Sequence, residues 1–402
     1  ASLVEWRKGN YSGADDYYEM FKAKWDGNGF KDKAFNGSYA TYKLGLFYFL
    51  NKILGKGSFW FERELIERVW QCQDNNGGFK TDYYANGSFP ECQTNTETTS
   101  IILLSDIPYA VPSVMVGAYY YIWWGIPFNN HWKHGVKYTP FLGEYNSSDP
   151  LIADHHILWA KQHGIDFFSV SWLGKGDWID LWDFDDTDQN LKSGLLKAQY
   201  LTTFKFCLFY ESQIVIDCAL NATINPDQNF TRIFIEDMNH AKREYFDNPS
   251  YLKIDGVPVL FIYNLPYIYD KLGNETQNLF RILKQQLDIY LVADVGNDPE
   301  PLATNSSLWP ILESVNATTS YFFAHSKISE GWLNMTKYAR TYYPEWRSTM
   351  NSKGIKYIPN MYPGYDNTEY CLWKNDSSAP PVLPLNKTMF EEMLKIACDN
   401  AD

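Results

Sequence analysis

From residue 116 onward, short apolar segments of strand length alternate regularly with longer segments that have helical periodicity. This alternation predicts a parallel β-sheet, because parallel strands need a helix-length crossover between them. Several of the apolar segments lack polar positions, as expected for strands that are buried on both faces. The predicted strands are 116–123, 165–172, 205–210, 258–263, 289–293, 320–324 and 355–361. The predicted helices are 151–163, 188–203, 229–246, 275–287, 306–314, 335–353 and 388–399.

Seven strands and seven helices fall one unit short of a (β/α)8 barrel. We therefore predict an α/β fold of the TIM-barrel type over residues 116–402 that lacks its eighth strand within this chain. The seventh helix reaches the end of the sequence, where an eighth strand would begin. A doubly wound open sheet is the alternative. No Gly-x-Gly-x-x-Gly turn follows any predicted strand, which disfavours a nucleotide-binding version of that sheet.

Residues 1–110 have a different pattern, which predicts a small α-helical domain before the barrel. Helical spacing covers 39–54 and 59–73, and glycines at 55 and 57 separate the two segments. A Gln-x-x-x-Gly-Gly-Phe pattern at 73–79 resembles the turn repeat of α/α-toroid proteins. A complete toroid does not fit into this length, so a remnant or a simple helical packing domain is the expectation. Residues 105–112, with two prolines, predict a linker.

The charge balance argues against two classes of partner. A net charge of −13 and a sequence pI near 5.0 disfavour nucleic acid and anionic membranes, which both require a cationic surface. No run of 18 apolar residues occurs, so no membrane-spanning segment is predicted. The chain begins at Ala1 without a methionine, which is typical of a processed mature protein.

Asn-x-Ser/Thr sequons are frequent along the whole chain, which predicts an N-glycosylated protein outside the cell or on its surface. Asn248 is excluded because Pro249 follows it. The twelve sequons begin at Asn10, Asn36, Asn86, Asn146, Asn221, Asn229, Asn274, Asn305, Asn316, Asn334, Asn375 and Asn386.

Six cysteines agree with an oxidising compartment and form three couples that are close in sequence. We predict three disulfides, although other pairings are open. The predicted pairs are Cys72–Cys92, Cys207–Cys218 and Cys371–Cys398. No Cys-x-x-Cys and no His-x-x-x-His occurs, so neither a metal nor a cofactor is predicted.

In a (β/α) barrel the functional face lies at the carboxyl ends of the strands. Two acids follow predicted strands there, Glu211 and Asp294, and we predict them as catalytic or hydroxyl-binding groups. Aromatic and histidine residues surround the same edge and predict a sugar site, because Trp and Tyr rings stack on the C–H faces of sugars. The predicted substrate-binding residues are Trp123, Trp124, His131, Trp132, His134, Tyr145, Trp172, Tyr210 and Tyr365, and Asn264, His325 and Tyr362 complete the rim.

Each of these assignments has a simpler structural alternative. Aromatic residues at strand ends often pack in the core, Glu211 is placed to cap the following helix, and Asp294 is placed to bond a backbone turn near Gly296. His131 and His134 are more often ordinary hydrogen-bonding groups than metal ligands. The acidic positions 180, 183, 185, 186 and 188 lack the glycine and terminal glutamate of a calcium loop, so a solvated loop is expected.

Several motifs resemble the glycoside hydrolase family 99 group and its broader relatives. They are Tyr-Tyr-x-Trp-x-Gly at 120–125, His-Trp-x-His at 131–134, Leu-Gly-x-Tyr-x-Ser-x-Asp-Pro at 142–150, His156, Gly-Ile at 164–165, Ser-Val-Ser-Trp at 169–172, Phe-Tyr-Glu at 209–211, Asp-Gly-x-Pro-Val-Leu-Phe-Ile-Tyr at 255–263 and Ile-Pro-x-x-x-Pro-Gly-Tyr at 358–365. The resemblance runs in order from residue 116 to the end of the chain. It implies a (β/α)8 barrel and action on α-mannosides, in relatives that are retaining and endo-acting and use the sugar's own 2-hydroxyl.

One family motif is absent. The two catalytic carboxylates of the family lie in Asn-Glu-Trp-x-Glu-Gly at the eighth strand, and the nearest string here, Ser-Glu-Gly-Trp at 329–332, follows the sixth strand. Three hypotheses remain open: a longer protein that carries the pair, a catalytically inactive surface or filament glycoprotein, and a glycan-binding barrel that does not cleave. The open barrel also predicts two free strand edges, which a strand donated by a neighbouring subunit could fill.

Overall fold

The computed structural model of the chain describes most residues of the protein. The described residues are 2–8, 10–54, 59–90, 94–105, 114–125, 132, 136–176, 187–221, 227, 229–296, 306–321, 323, 325–373, 375 and 381–402. The chain divides into two compact units, one of residues 1–113 with 162–164 and one of residues 114–161 with 165–402. Within the described ranges, no helix combines the length and the apolar character that crossing a membrane requires.

The first unit is helical, with one small two-stranded antiparallel sheet. Its core is aromatic: Phe30 and Phe47 are fully buried and their ring centroids lie 5.1 Å apart. The side chain of Asn95 accepts the backbone N–H groups of Glu97 and Thr98 and so begins the last helix of this unit. The elements are α1 (Ser2–Arg7), α2 (Tyr11–Lys22), β1 (Tyr39–Ala40), α3 (Thr41–Leu54), α4 (Phe59–Gln71), β2 (Asp82–Tyr83) and α5 (Thr96–Leu104).

The second unit is built on one curved parallel sheet. Seven strands pair in their order along the chain, and a short antiparallel strand, β6, pairs with β7. The strands are β3 (Gly117–Tyr121), β4 (Phe167–Trp172), β5 (Lys205–Tyr210), β6 (Lys253–Ile254), β7 (Val257–Ile262), β8 (Tyr290–Asp294), β9 (Ala317–Thr319) and β10 (Lys356–Ile358). Among the described residues there are seven barrel strands and their order never reverses, which excludes the doubly wound alternative and confirms the TIM-barrel class.

Helices cover the outer face of this sheet and bury its apolar side chains. The central strands β4 and β5 are almost completely buried, as the uninterrupted apolar sequence predicts. The helices are α6 (Pro150–Gln162), α7 (Thr187–Ser193), α8 (Ser212–Ala219), α9 (Phe230–Glu244), α10 (Leu265–Leu272), α11 (Glu275–Leu287), α12 (Trp309–Leu312), α13 (Trp332–Asn351), α14 (Thr368–Trp373) and α15 (Lys387–Asn400). A two-stranded antiparallel sheet of β11 (Tyr365–Asp366) and β12 (Val382–Leu383) follows β10.

The predicted strand 320–324 is wrong, because β9 ends at Thr319. The strand is formed instead by the preceding Ala317, Thr318 and Thr319, which are all buried. The strand was predicted too late in the chain because aromatic residues follow β9, and aromatic side chains are common in strands. The consequence is that Tyr321 follows the strand end and does not lie inside the strand.

The two outer strands of the barrel, β3 and β10, do not pair with each other within the described residues. On β10, the backbone of Lys356 is hydrogen-bonded toward β9. The backbone N–H and carbonyl of Tyr357 face the opposite edge of the strand. Asp402 occupies that edge: its backbone N–H donates to the Tyr357 carbonyl over 3.1 Å, and its carboxylate accepts the Tyr357 N–H over 3.0 Å. Pro359 has no backbone N–H, so it cannot donate a hydrogen bond at this edge of β10. Strand donation from a neighbouring subunit remains a prediction for the edge of β3.

A side-chain bridge joins β3 to the end of β10 inside the barrel. The Tyr119 hydroxyl and the Asn360 side chain are hydrogen-bonded, with the amide nitrogen 3.1 Å from the hydroxyl oxygen. The same nitrogen lies 2.7 Å from the hydroxyl oxygen of Thr319 on β9, and Tyr343 donates to the backbone carbonyl of Asn360. The open position is therefore closed by polar side chains where a complete barrel uses a backbone ladder.

Two of the predicted disulfides are wrong. Cys207 and Cys218 are free thiols, and so is Cys371, which excludes its pairing with Cys398. Cys207 lies in the middle of β5 against Ser169, and burial raises the pKa of its thiol far above the ordinary value. Cys371 accepts a hydrogen bond from Asn367. Closeness in sequence does not bring two thiols together when a strand and a helix hold them apart. The pair Cys72–Cys92 lies partly outside the described residues.

The side-chain bridge predicts a measurable contribution to stability. In Asn360→Ala, the hydroxyls of Tyr119 and Thr319 lose a buried partner, so the free energy of unfolding should fall by about 1–3 kcal/mol in urea titration. A double-mutant cycle with Tyr119→Phe should give a coupling energy of about 0.5–3 kcal/mol. Asn400→Ala is the control, because its amide bonds only the Ile396 carbonyl of its own helix. Additive effects of Asn360→Ala and Tyr119→Phe would contradict the bridge.

Candidate functional site

A layer of polar and aromatic side chains meets where the barrel strands end at their carboxyl side. Each member comes from the last two residues of a strand or from a residue up to four positions beyond it, so consecutive strands deliver neighbouring groups. The layer consists of Tyr121, Ser171, Glu211, Tyr263, Asp294, Tyr321 and Tyr362. We refer to these seven residues as the rim layer.

Glu211 is a buried acid within the rim layer. It follows β5 at the residue before α8, but its side chain makes no capping hydrogen bond to that helix. Its carboxylate instead accepts the Ser171 hydroxyl over 2.6 Å, and its backbone N–H donates to the Trp172 carbonyl over 3.0 Å. Burial raises the pKa of Glu211 to about 7, and the charge of Asp294 acts in the same direction. Glu211 therefore exchanges a proton near neutral pH.

Asp294 has a different role in the same layer. Its carboxylate accepts three backbone N–H groups, from Asn264 at 2.9 Å, Gly296 at 3.3 Å and Tyr321 at 2.8 Å. These groups follow β7, β8 and β9, so one side chain ties three neighbouring strand ends together. Burial raises the pKa of Asp294 to about 6, against the lowering effect of the three N–H bonds. The structure contains the bond to the turn near Gly296 that was the alternative for Asp294, and a catalytic role of Asp294 stays a prediction.

Asn264 adopts a backbone conformation that few residues tolerate. Its φ is +50°, in the left-handed region, and its side chain accepts the Tyr267 N–H to begin α10. Its amide nitrogen donates to Gln213 over 2.9 Å. Such strain persists only where the surroundings hold it in place, and it is common at functional sites.

Tyr321 is the central aromatic residue of the rim layer, and it is not among the site residues predicted from the sequence. Its ring centroid lies 4.7 Å from that of Tyr119 and 5.5 Å from those of Phe209 and Tyr263. Its hydroxyl is bonded to the hydroxyl of Tyr121. The misplaced strand 320–324 concealed it, and the paired threonines at 318–319 were the available indication that the strand ends earlier. Tyr263 was missed similarly, as the last residue of its predicted strand.

Three of the predicted sugar-binding residues form a separate aromatic cluster. The rings of Trp124 and Trp132 are 4.3 Å apart, and the Trp132 indole N–H donates to the Tyr145 carbonyl over 2.9 Å. Tyr145 packs on His156 of α6 at 5.3 Å, and His156 is also bonded to the Tyr120 hydroxyl. These contacts fasten the segment after β3 to α6, which is a packing role.

Trp172 and Tyr210 are completely buried in the wall of the barrel. The Trp172 indole N–H donates to Asp188 over 3.0 Å, and the Tyr210 hydroxyl donates to Asp237 over 2.8 Å. Neither ring has an exposed face on which a sugar could stack in this structure. Their positions match the structural alternative stated for aromatic residues at strand ends.

Two predicted aromatic residues do lie beside the rim layer. Trp123 is half-buried with its ring 4.7 Å from that of Tyr121, and Tyr365 on β11 is half-buried with its ring 6.0 Å from that of Tyr362. His131 and His134 lie outside the described residues, as do positions 180, 183, 185 and 186, and the side chain of His325 is not described. No group of three potential metal ligands occurs among the described side chains.

Comparison with known proteins places this fold. No protein-family model matches the chain, and no curated protein is similar to it. Among solved structures, a glycoside hydrolase-like protein is similar with a TM-score of 0.53 and 17% identity, over 72% of this chain and 81% of that chain. A GH99 endo-alpha-mannosidase from Bacteroides thetaiotaomicron, in complex with bis-tris propane, is similar with a TM-score of 0.50 and 18% identity, over 71% of this chain and 80% of that chain. The fold expected from the sequence motifs is thereby confirmed.

The burial of Glu211 predicts a specific pH dependence of stability. Its folded pKa of about 7 exceeds its ordinary value of 4.5, so the stability that the protonated form contributes is fully present below pH 4.5 and is lost as the pH rises through 7. Glu211→Gln lacks this dependence. The variant should gain stability over the wild type between pH 4.5 and 8, on the order of 3 kcal/mol, in chemical denaturation. Exposed Glu313→Gln is the control. A pH-independent difference between Glu211→Gln and wild type would refute the burial effect.

Proposed function

We propose that this protein is an extracellular, N-glycosylated protein whose barrel binds α-mannose-type glycans at the rim layer, with Glu211 in contact with the sugar. The observation that carries the proposal is the position of Glu211. A buried acid with a pKa of about 7 stands at the carboxyl end of a barrel strand, within a layer of tyrosines. An acid of this kind both accepts and donates hydrogen bonds to sugar hydroxyls near neutral pH.

The substrate class rests on two independent supports. The fold is shared with a GH99 endo-alpha-mannosidase, and the sequence motifs from residue 120 to residue 365 resemble the same family. The half-buried rings of Trp123, Tyr263 and Tyr365 supply the apolar surfaces that a pyranose ring needs beside its polar contacts.

The hydrogen bonds that Asp294 already makes favour glycan binding over glycan hydrolysis as the function. A glycosidase of the usual kind works with two carboxylates that face the scissile bond. The Asp294 carboxylate is committed to three backbone N–H groups, so it is not available as a second acid or base without breaking the rim. Hydrolysis is the second candidate function, which the shared fold supports, and it requires a further carboxylate beside Glu211.

The extracellular location is supported by the surface positions of the sequons. Asn10, Asn36, Asn86, Asn221, Asn229, Asn274, Asn334, Asn375 and Asn386 are exposed. In Asn229 and Asn386 the side-chain oxygen caps a helix, which leaves the amide nitrogen as the site of attachment. Asn146 and Asn316 are half-buried, and Asn305 lies outside the described residues.

The glycan proposal predicts specific binding that depends on Glu211. An α-linked mannose disaccharide should bind the purified protein in calorimetry, and Glu211→Ala should weaken binding by about tenfold because a hydrogen bond to the sugar is lost. Glu313→Ala should bind like the wild type, since Glu313 precedes β9 at the opposite, amino-end face of the barrel. Release of reducing sugar from α-mannans tests the hydrolytic candidate in the same preparation. Absence of binding and of release would refute the proposal.

Glycan occupancy should follow exposure. Protein secreted from a eukaryotic host should carry glycans at the exposed sequons in glycopeptide mass spectrometry. Asn316 should carry none, because its side chain is half-buried and its backbone joins the neighbouring strands on both sides. Asn10 is the exposed comparison. Occupancy of Asn316 equal to that of Asn10 would contradict the ranking, and a fully unmodified secreted protein would contradict glycosylation itself.

A further inference from the structure

Two carboxylates of the second unit are buried outside the rim layer. Asp237, in the middle of α9, is 0% exposed, and Asp188, in the first turn of α7, is 5% exposed. A carboxylate buried without partners is strongly destabilising, so buried acids are expected to hold hydrogen-bond donors. The donors to these two acids include Trp172, the last residue of β4, and Tyr210, the last residue of β5, which Glu211 follows.

Asp237 holds a strand end and a loop together. One oxygen accepts the Tyr210 hydroxyl over 2.8 Å, and the other accepts the Lys175 backbone N–H over 2.9 Å. Tyr210 is the last residue of β5, and Lys175 lies in the segment that follows β4. Gly174 passes so close that a Cβ there would lie 2.2 Å from an Asp237 oxygen, and its φ of +84° also favours glycine. The segment after β4 therefore packs directly on the Asp237 carboxylate.

Asp188 holds the neighbouring residue of β4. It accepts the Trp172 indole N–H over 3.0 Å and the Tyr245 hydroxyl. His240 and Lys192 reach the same carboxylate at 3.0 Å and 2.7 Å. The Trp172 ring is thus fixed by an acid whose own orientation is fixed by three further side chains.

Both sets of bonds converge on Glu211. Tyr210 directly precedes it, and the Trp172 carbonyl accepts its backbone N–H over 3.0 Å. Ser171, which donates to the Glu211 carboxylate over 2.6 Å, directly precedes Trp172. Asp188 and Asp237 therefore hold Trp172 and Tyr210, which adjoin the backbone of Glu211, and Ser171, which bonds its carboxylate, is the chain neighbour of Trp172.

We propose that Asp237 is a positioning residue for Glu211: by holding Tyr210 and Lys175 it sets the orientation in which the Glu211 carboxylate meets its ligand. The inference rests on the proposed function, in which Glu211 contacts the glycan. Asp237 touches no ligand itself. It acts through β5 and through the segment after β4, as supporting residues behind a functional group commonly do.

Two substitutions of Asp237 separate its geometry from its charge. Asp237→Asn keeps both bonds, because the amide oxygen accepts the Lys175 N–H and the amide nitrogen donates to the Tyr210 oxygen. Asp237→Ala removes both. The first measurement is the titration of Glu211, followed by carbon NMR of the side-chain carboxyl and assigned with Glu211→Gln. The second is the affinity for the α-linked mannose disaccharide.

In Asp237→Ala, the titration midpoint of Glu211 should fall from about 7 toward 4.5 by about one unit or more, because water enters when the segment after β4 loosens. Affinity for the disaccharide should fall about tenfold. In Asp237→Asn the midpoint should stay, and affinity should remain within about threefold of the wild type. Tyr210→Phe, which removes one of the two bonds, should shift the midpoint in the same direction by less and replaces Asp237→Ala if that variant does not fold.

The outcomes separate the two proposals. An unchanged Glu211 midpoint in folded Asp237→Ala, or in Tyr210→Phe where that variant replaces it, overturns the positioning role, whatever the protein binds. Equal shifts in Asp237→Asn and Asp237→Ala also overturn it, because they assign the effect to the lost charge. A shifted midpoint in Asp237→Ala alone supports the positioning role. If the wild-type protein then binds no glycan, that result counts against the proposed function only.

Discussion

The site depends on how the seven barrel strands of the described residues keep their curvature although the outer two do not pair with each other. A complete barrel closes through a backbone ladder, whereas here the Tyr119 hydroxyl bonds the Asn360 side chain, and Asp402 satisfies the outward backbone groups of Tyr357. These contacts hold β3 and the end of β10 near each other, so that Tyr121 and Tyr362 both reach Tyr321. The rim layer exists because its first and last strands are joined by side chains.

Within that layer, two acids of similar burial have different chemistry. Asp294 accepts three backbone N–H groups and serves as a fastening point for β7, β8 and β9. Glu211 accepts the hydroxyl of Ser171, and burial leaves its pKa near neutral pH. Residue type alone does not distinguish these roles, since both are carboxylates at the ends of parallel strands. The number of donors that surround each group decides which one is available to a ligand.

The aromatic residues illustrate the same limit. Trp123 and Tyr365 lie beside the rim, whereas Trp124, Trp132 and Trp172 pack against protein, and local composition did not separate the two groups. A ring at a strand end faces the barrel interior, a covering helix or the wall, according to a register shift of a single residue. Tyr321 was missed because the predicted strand 320–324 begins three residues later than β9. The prediction therefore placed Tyr321 inside a strand, whereas it lies just beyond the strand end.

The order of apolar and helical segments was sufficient to determine the α/β class, the seven-strand count and most element bounds, because burial on both faces imposes a pattern that is local in the chain. The resemblance of the motifs to a known family predicted the same fold that the similar solved structures have. The tertiary structure alone decided which thiols stay apart, which acid accepts hydrogen bonds from backbone N–H groups and which rings meet at the rim. Those outcomes depend on distances between residues far apart in sequence, such as Ser171 and Glu211 or Asp294 and Tyr321, and no local pattern encodes such distances.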